Sequence, residues 1–195
     1  MRTSWPCIEL TKTTKWQERD PDNERLPDYE ALLVWARRHD VIGESIHRLR
    51  ELAAEQPERA ERVLERARAL RPLLYRILSA AAAGEEPAAA DAEELNRLLA
   101  EAARHRTIRI GPDSCEWSWE DSADPLEYPL WPVVWSLGEL LTSEERPRLK
   151  QCDADDCGWL FIDASRNRSR RWCDMGDCGN RAKVRRFRER QRGEG

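Results

Sequence analysis

No apolar run in the sequence approaches the ~20 residues a membrane-spanning helix needs, so no membrane partner is expected. The opening residues, Met1 to Cys7, show neither the apolar stretch nor the cleavage site of a secretory leader. The expectation is a soluble protein of the reducing cytoplasm. Histidine is scarce: His39, His47 and His105 lie far apart, and none sits in a His-Glu-x-x-His pattern. A Walker loop, a Gly-x-Ser-x-Gly elbow and a dinucleotide fingerprint are all missing. Paired carboxylates are too common among 37 Asp and Glu to select a site, so no enzyme is expected. There is also no internal repeat.

What is present can build a core. Of 195 residues 40% are hydrophobic, with nine tryptophans, and the 36% that are charged are mixed in sign. The net charge of -4 is unevenly spread. Residues 164–192 hold eleven Lys and Arg against Asp174, Asp177 and Glu189, a balance of +8 that leaves -12 for the rest. Such asymmetry fits a basic partner-binding module on an acidic body. The overall pI of about 5.6 argues against indiscriminate coating of nucleic acid.

Four of the six cysteines fall into two pairs, Cys152-x4-Cys157 and Cys173-x4-Cys178, separated by fifteen residues. Two close pairs flanking a loop are what a closed tetrahedral zinc site requires, and four thiolate ligands leave no open position for catalysis. One structural Zn2+ is therefore expected. Disulfides would need an oxidising compartment. A calcium loop beginning at Asp153 and Asp155 fails, because Cys157 holds its fifth position and Ala164 its twelfth, where a bidentate Glu belongs. Gly158 to Asp163 reads as a strand, Arg170 to Cys173 as its return, and the residues from Asn180 onward as a helix. Gly176 and Gly179 would supply positive φ at the second knuckle. The order is treble-clef-like, with Cys178 at a helix N-terminus that favours its thiolate. Cys7 and Cys115 stand alone and read as buried, apolar-like residues.

The basic run suggests phosphate contact. Arg166, Arg168, Arg170 and Arg171 fall on the expected hairpin, and Arg181, Lys183, Arg185, Arg186, Arg188 and Arg190 on the helix. Val184 and Phe187 would dock that helix on its hairpin, leaving Arg181, Arg185 or Arg188 to read bases. DNA is favoured over RNA, since the nearby aromatics belong to the finger's own core. The rival is a protein-interaction module, its basic helix docked on an acidic protein surface.

Upstream, residues 6–16 carry β-branched residues in partial alternation and suggest a strand; 17–27 read as a loop. Asp28 would cap a helix reaching about Asp40, and Gly43 separates it from a second around Ile46 and Leu49. A third opens at Pro57, with a kink or break expected near residues 68–72 because of Pro72. Residues 80–90 read as a linker, and Asp91-x-x-Glu94 as a capping box. Thr107–Ile110 and Cys115–Trp119 suggest a hairpin, followed by an acidic loop at 120–128 and a helix on Leu130, Val133, Val134, Leu137 and Leu141. The fold class is α+β, mostly helical with a few short strands. Trp117, Trp119, Trp131 and Trp135 would either line a small-molecule pocket or pack as core.

Cys178-Gly179-Asn180-Arg181 spells the signature of the CGNR zinc fingers, which the segment from Cys152 to Arg190 resembles. The upstream chain resembles the ABATE domain that precedes such fingers, although Lys12-Thr13 stands where family members carry Asn-Thr. The resemblance implies a body over residues 1–148 and a finger over 149–195. It also implies DNA binding in stress-induced transcription regulation, the body sensing a small-molecule effector or forming a homo-oligomer.

Overall fold

The computed structural model describes residues 5–14, 24–43, 45–119 and 125–193, apart from the side chains at 186, 189, 190, 192 and 193. One long helix organises it. Helix α4 (Pro57–Ala83) buries Ala60, Val63, Leu64, Ala67, Leu74, Ile77 and Leu78 along its length. Packed on it are α1 (Pro6–Thr11), α2 (Tyr29–Arg38), α3 (Ile46–Glu55), α5 (Ala89–Ala103) and α6 (Leu130–Thr142). Strands β1 (Arg106–Ile110) and β2 (Cys115–Trp119) form one antiparallel hairpin. Strands β3 (Leu149–Gln151) and β4 (Leu160–Ile162) form another, ahead of α7 (Cys178–Gly193). The architecture is α+β and mostly helical, as expected. No helix among the described residues is long and apolar enough to cross a membrane.

Several local expectations need correction. Residues 6–11 are helical rather than extended. Pro6 pre-sets the first turn, and the hydroxyls of Thr11 and Thr13 donate back to the carbonyls of Ile8 and Leu10 at 2.7 Å, absorbing the groups that favoured a strand. The expected loop at 17–27 and the acidic loop at 120–128 lie partly outside the described residues.

Helix α4 does not break at Pro72. Proline removes the amide that would bond the Arg68 carbonyl, but Arg71 Nε donates to that carbonyl at 3.4 Å. The same Arg71 is buried and clasps Glu24 at 2.6 and 2.8 Å, which fixes the region in the tertiary fold. The 80–90 segment is a linker only in its middle. The alanines extend α4 to Ala83, where Gly84, at φ 75°, supplies the left-handed cap. Asp91 is not a helix cap: α5 starts at Ala89, and Asp91 instead takes a two-pronged contact from Arg76 at 2.7 and 2.8 Å. The cap at Asp28 is present, its carboxylate accepting from the Ala31 amide at 2.7 Å.

The β3–β4 hairpin lies between two apolar clusters. Leu149 and Leu160 belong to the main core, whereas Phe161 packs with Cys152, Ala154, Cys157 and Cys178. The return strand expected at Arg170–Cys173 is absent: β4 pairs with the residues before the first cysteine. The intervening chain is drawn into a loop by Asp163. Its fully buried carboxylate accepts from Lys150 Nζ at 2.7 Å, the Ser165 amide at 2.9 Å and the Arg170 amide at 2.9 Å. Burial alone would raise its pKa, but the bonds from Lys150 and Ser165 hold it well below the usual carboxylate range.

Candidate metal centre

The ligand atoms of Cys152, Cys157, Cys173 and Cys178 all lie within 4.8 Å of one another. Cys157 and Cys173 sulfurs are 3.5 Å apart, and those of Cys173 and Cys178 3.6 Å. These are not disulfides, whose sulfurs stand about 2.05 Å apart. They approach the edge of a ZnS4 tetrahedron, about 3.8 Å for a Zn–S length of about 2.3 Å. In the four-thiol cluster the pKa of Cys157 is lowered to about 5, chiefly because Cys173 donates to it. Burial pushes Cys178 up to about 12, against the expected pull of its helix N-terminus, and Cys173 is raised as the donor to Cys157. Four sulfurs this close ionise together only around a cation. The donor set fits one structural zinc ion.

Each knuckle is shaped by its own short-range bonds. In the first, the Cys157 amide donates to the Ala154 carbonyl at 3.1 Å and Gly158 takes φ 68°. The second needs no positive φ at Gly176 or Gly179. Its turn is made by Asp174 Oδ1, which accepts from the amides of Gly176 at 2.6 Å and Asp177 at 2.9 Å. The signature residues continue this scaffold. Asn180 Nδ2 donates to the Gly176 carbonyl at 2.7 Å. Arg181 Nη2 donates to the Cys178 sulfur at 3.2 Å, while the guanidinium pairs with Asp177 at 2.5 Å and with Asp156 of the first knuckle at 3.3 Å. Arg181 therefore bridges both knuckles beside the thiolates.

The basic residues divide into two groups. Arg170 lies over the Phe161 ring and donates to the carbonyls of Trp172 and Cys173; Arg171 pairs with Asp153 at 2.6 Å; Arg185 pairs with Asp155. With Arg181 these are bound into the finger. Arg166, Arg168, Lys183 and Arg188 are exposed and have no ion pair among the described residues. The side chains of Arg186 and Arg190 lie outside the described residues. Val184 and Phe187 do not dock α7 as expected: they are 48% and 57% exposed, and Ala182 provides the buried contact.

Three of the four tryptophans meet. The Arg106 guanidinium stands 4.4 Å from the Trp119 ring centre, 5.1 Å from Trp117 and 5.4 Å from Trp135, in the wall of a cleft of about 600 Å3. Trp131 points elsewhere, fully buried and stacked on His105 at 4.8 Å. Sequence reasoning missed Arg106, although strand register places it opposite Trp119. Tyr75 was missed too: its hydroxyl donates to the Gly158 carbonyl at 3.1 Å and accepts from Gln151 at 2.8 Å, fastening the first knuckle to α4. Trp159 reaches back similarly, with Nε1 donating to the Thr14 carbonyl at 3.4 Å and Arg25 over its ring at 5.1 Å.

These features define a helical α+β protein with a four-cysteine zinc finger at its C-terminal end. The chain belongs to the ABATE family, whose model, described as "Putative stress-induced transcription regulator", matches residues 5–144. The CGNR zinc finger model matches residues 148–191. Neither description is of an enzyme. No curated protein matches the chain.

Proposed function

We propose that the chain is a zinc-dependent DNA-binding transcription regulator of the cytoplasm, with a treble-clef-like finger over residues 149–195. Residues 1–148 would sense an effector or mediate assembly, and the chain is not an enzyme. The observation that carries the reading is the set Arg166, Arg168, Lys183 and Arg188: exposed cations with no ion pair among the described residues, on a loop and a helix set by the zinc knuckles. Arg170, Arg171, Arg181 and Arg185 position the finger, and Arg186 and Arg190 would add phosphate contacts in this reading. The Arg106 cleft, with Trp117, Trp119 and Trp135, is where a small-molecule effector would bind.

The test is titration of labelled duplex DNA with zinc-loaded protein across a salt series, repeated after chelation. Four phosphate contacts give a log–log slope of about -3.6, at roughly -0.9 per contact. Binding with that slope, lost on chelation, is expected. Absence of binding at low salt removes the reading. A second reading, docking of α7 on an acidic protein surface, draws on the exposure of Val184 and Phe187 beside the same cations. It is preferred if alanine at Lys183 and Arg188 abolishes protein capture and leaves DNA titrations unchanged.

A further inference from the structure

Seven large apolar side chains are exposed among the described residues, and three of them share one face of the β1–β2 hairpin. Ile108 is 53% exposed, Ile110 78% and Trp117 62%. The register sets Ile108 opposite Trp117 and Ile110 opposite Cys115, itself exposed, so the four side chains form one apolar block. Charge is sorted to the reverse face. There Arg109 pairs with Glu116 at 2.9 Å and donates to Ser118 at 3.2 Å. At the body end Arg106 closes the block, lying over Trp117. From Ile108 to the strand ends, no charged side chain stands on the apolar face.

A two-stranded hairpin is marginal in water unless one face is covered. Among the described residues this one is anchored at its body end, where Trp119 meets Trp135 edge-on at 6.0 Å. We propose that the apolar face is covered by the same face of a second copy of this chain. A two-fold contact sets a surface against itself, so a surface of one charge repels its copy. In a chain with 36% charged residues, an uncharged strand face is the surface that suits self-association. Nucleic acid is a poor occupant, because the block offers phosphates no cation. A highly charged protein would select the acidic body or the basic finger instead. The inference develops the assembly half of the proposed function, and its test involves no DNA.

The experiment is light scattering after size exclusion, on the full zinc-loaded chain at tens of micromolar. The wild type is expected at twice the chain mass of 22.7 kDa. Ile108→Lys and Ile110→Lys each place like charges against one another in the paired faces. Each should weaken association at least about a hundredfold and return the mass to one chain, with helical circular dichroism and zinc content unchanged. Val34→Lys, at an exposed apolar residue on α2, should leave the dimer intact. A single-chain mass for the wild type overturns the proposal. So does a dimer that survives both hairpin substitutions, or one that Val34→Lys dissolves equally well. None of these results bears on the DNA titration.

Discussion

Among the described residues, two antiparallel hairpins solve the same problem in opposite ways. β1–β2 pairs five residues on each strand, yet leaves an apolar face in solvent. β3–β4 pairs only three, and both its faces are covered. Leu149 and Leu160 enter the body core, while Phe161 enters the cysteine cluster. The shorter ladder is the better supported one. Backbone pairing therefore decides less here than what lies against the two faces, as expected where sheet stability comes from side-chain burial.

That contrast breaks most dramatically when zinc is removed. Structural zinc in small fingers contributes on the order of 10 kcal/mol, so chelation or Cys157→Ser should unfold the β3–β4 side and leave β1–β2 paired. Hydrogen exchange should show the amides of 149–162 losing protection while those of 106–119 keep theirs. Next in size is Leu160→Ala, expected to cost about 3 kcal/mol by emptying a core position; denaturant unfolding measures it.

Asp163→Asn should cost about 2 kcal/mol near neutral pH, by weakening charge-assisted bonds to a buried carboxylate. Because the folded carboxyl has a depressed pKa, the unfolded chain takes up its proton first as pH falls. The advantage of wild type over Asp163→Asn is thus full above the unfolded value of about 4 and declines below it, as pH falls through the folded value. Unfolding curves of the pair at successive pH values test this.

Arg181→Ala should weaken metal affinity roughly 10- to 100-fold by removing the donor to Cys178 and the bridge between knuckles. Chelator competition measures it, and Arg181→Lys should recover only part. The smallest effect belongs to the other hairpin. Ile108→Ala should change the stability of the dissociated chain by less than about 0.5 kcal/mol in dilute unfolding experiments, against the large loss at Leu160.

Sequence reading succeeded where one physical signal dominated. Paired thiols at close spacing named the metal ligands, and the short runs Thr107–Ile110 and Cys115–Trp119 on either side of Gly-Pro-Asp-Ser named a hairpin. It failed where a local signal met a tertiary competitor. Pro72 reads as a break, but Arg71 answers the freed carbonyl from across one turn of the same helix. Asp91 has the spacing of a cap, yet Arg76 on α4 claims it. Residues 6–11 look β-like until Pro6 and two threonine hydroxyls are considered together. The basic run was legible as charge alone; which arginines are already engaged depends on aspartates brought close by the knuckles. Val184 and Phe187 have the spacing of a docking stripe, yet both stay exposed, and the small cysteine cluster is filled by Ala154, Phe161 and the cysteines themselves.

The placement of Leu149 and Leu160 in the body core also orders events during synthesis. A chain emerges from the ribosome N-terminal end first, so α4 and its neighbours are made before the two leucines that finish their packing. Those leucines are held by a hairpin whose turn carries Cys152 and Cys157. Maturation of the body thus waits on the last quarter of the chain and on the capture of an ion, so that a cell short of zinc would accumulate a body with an unfinished seam.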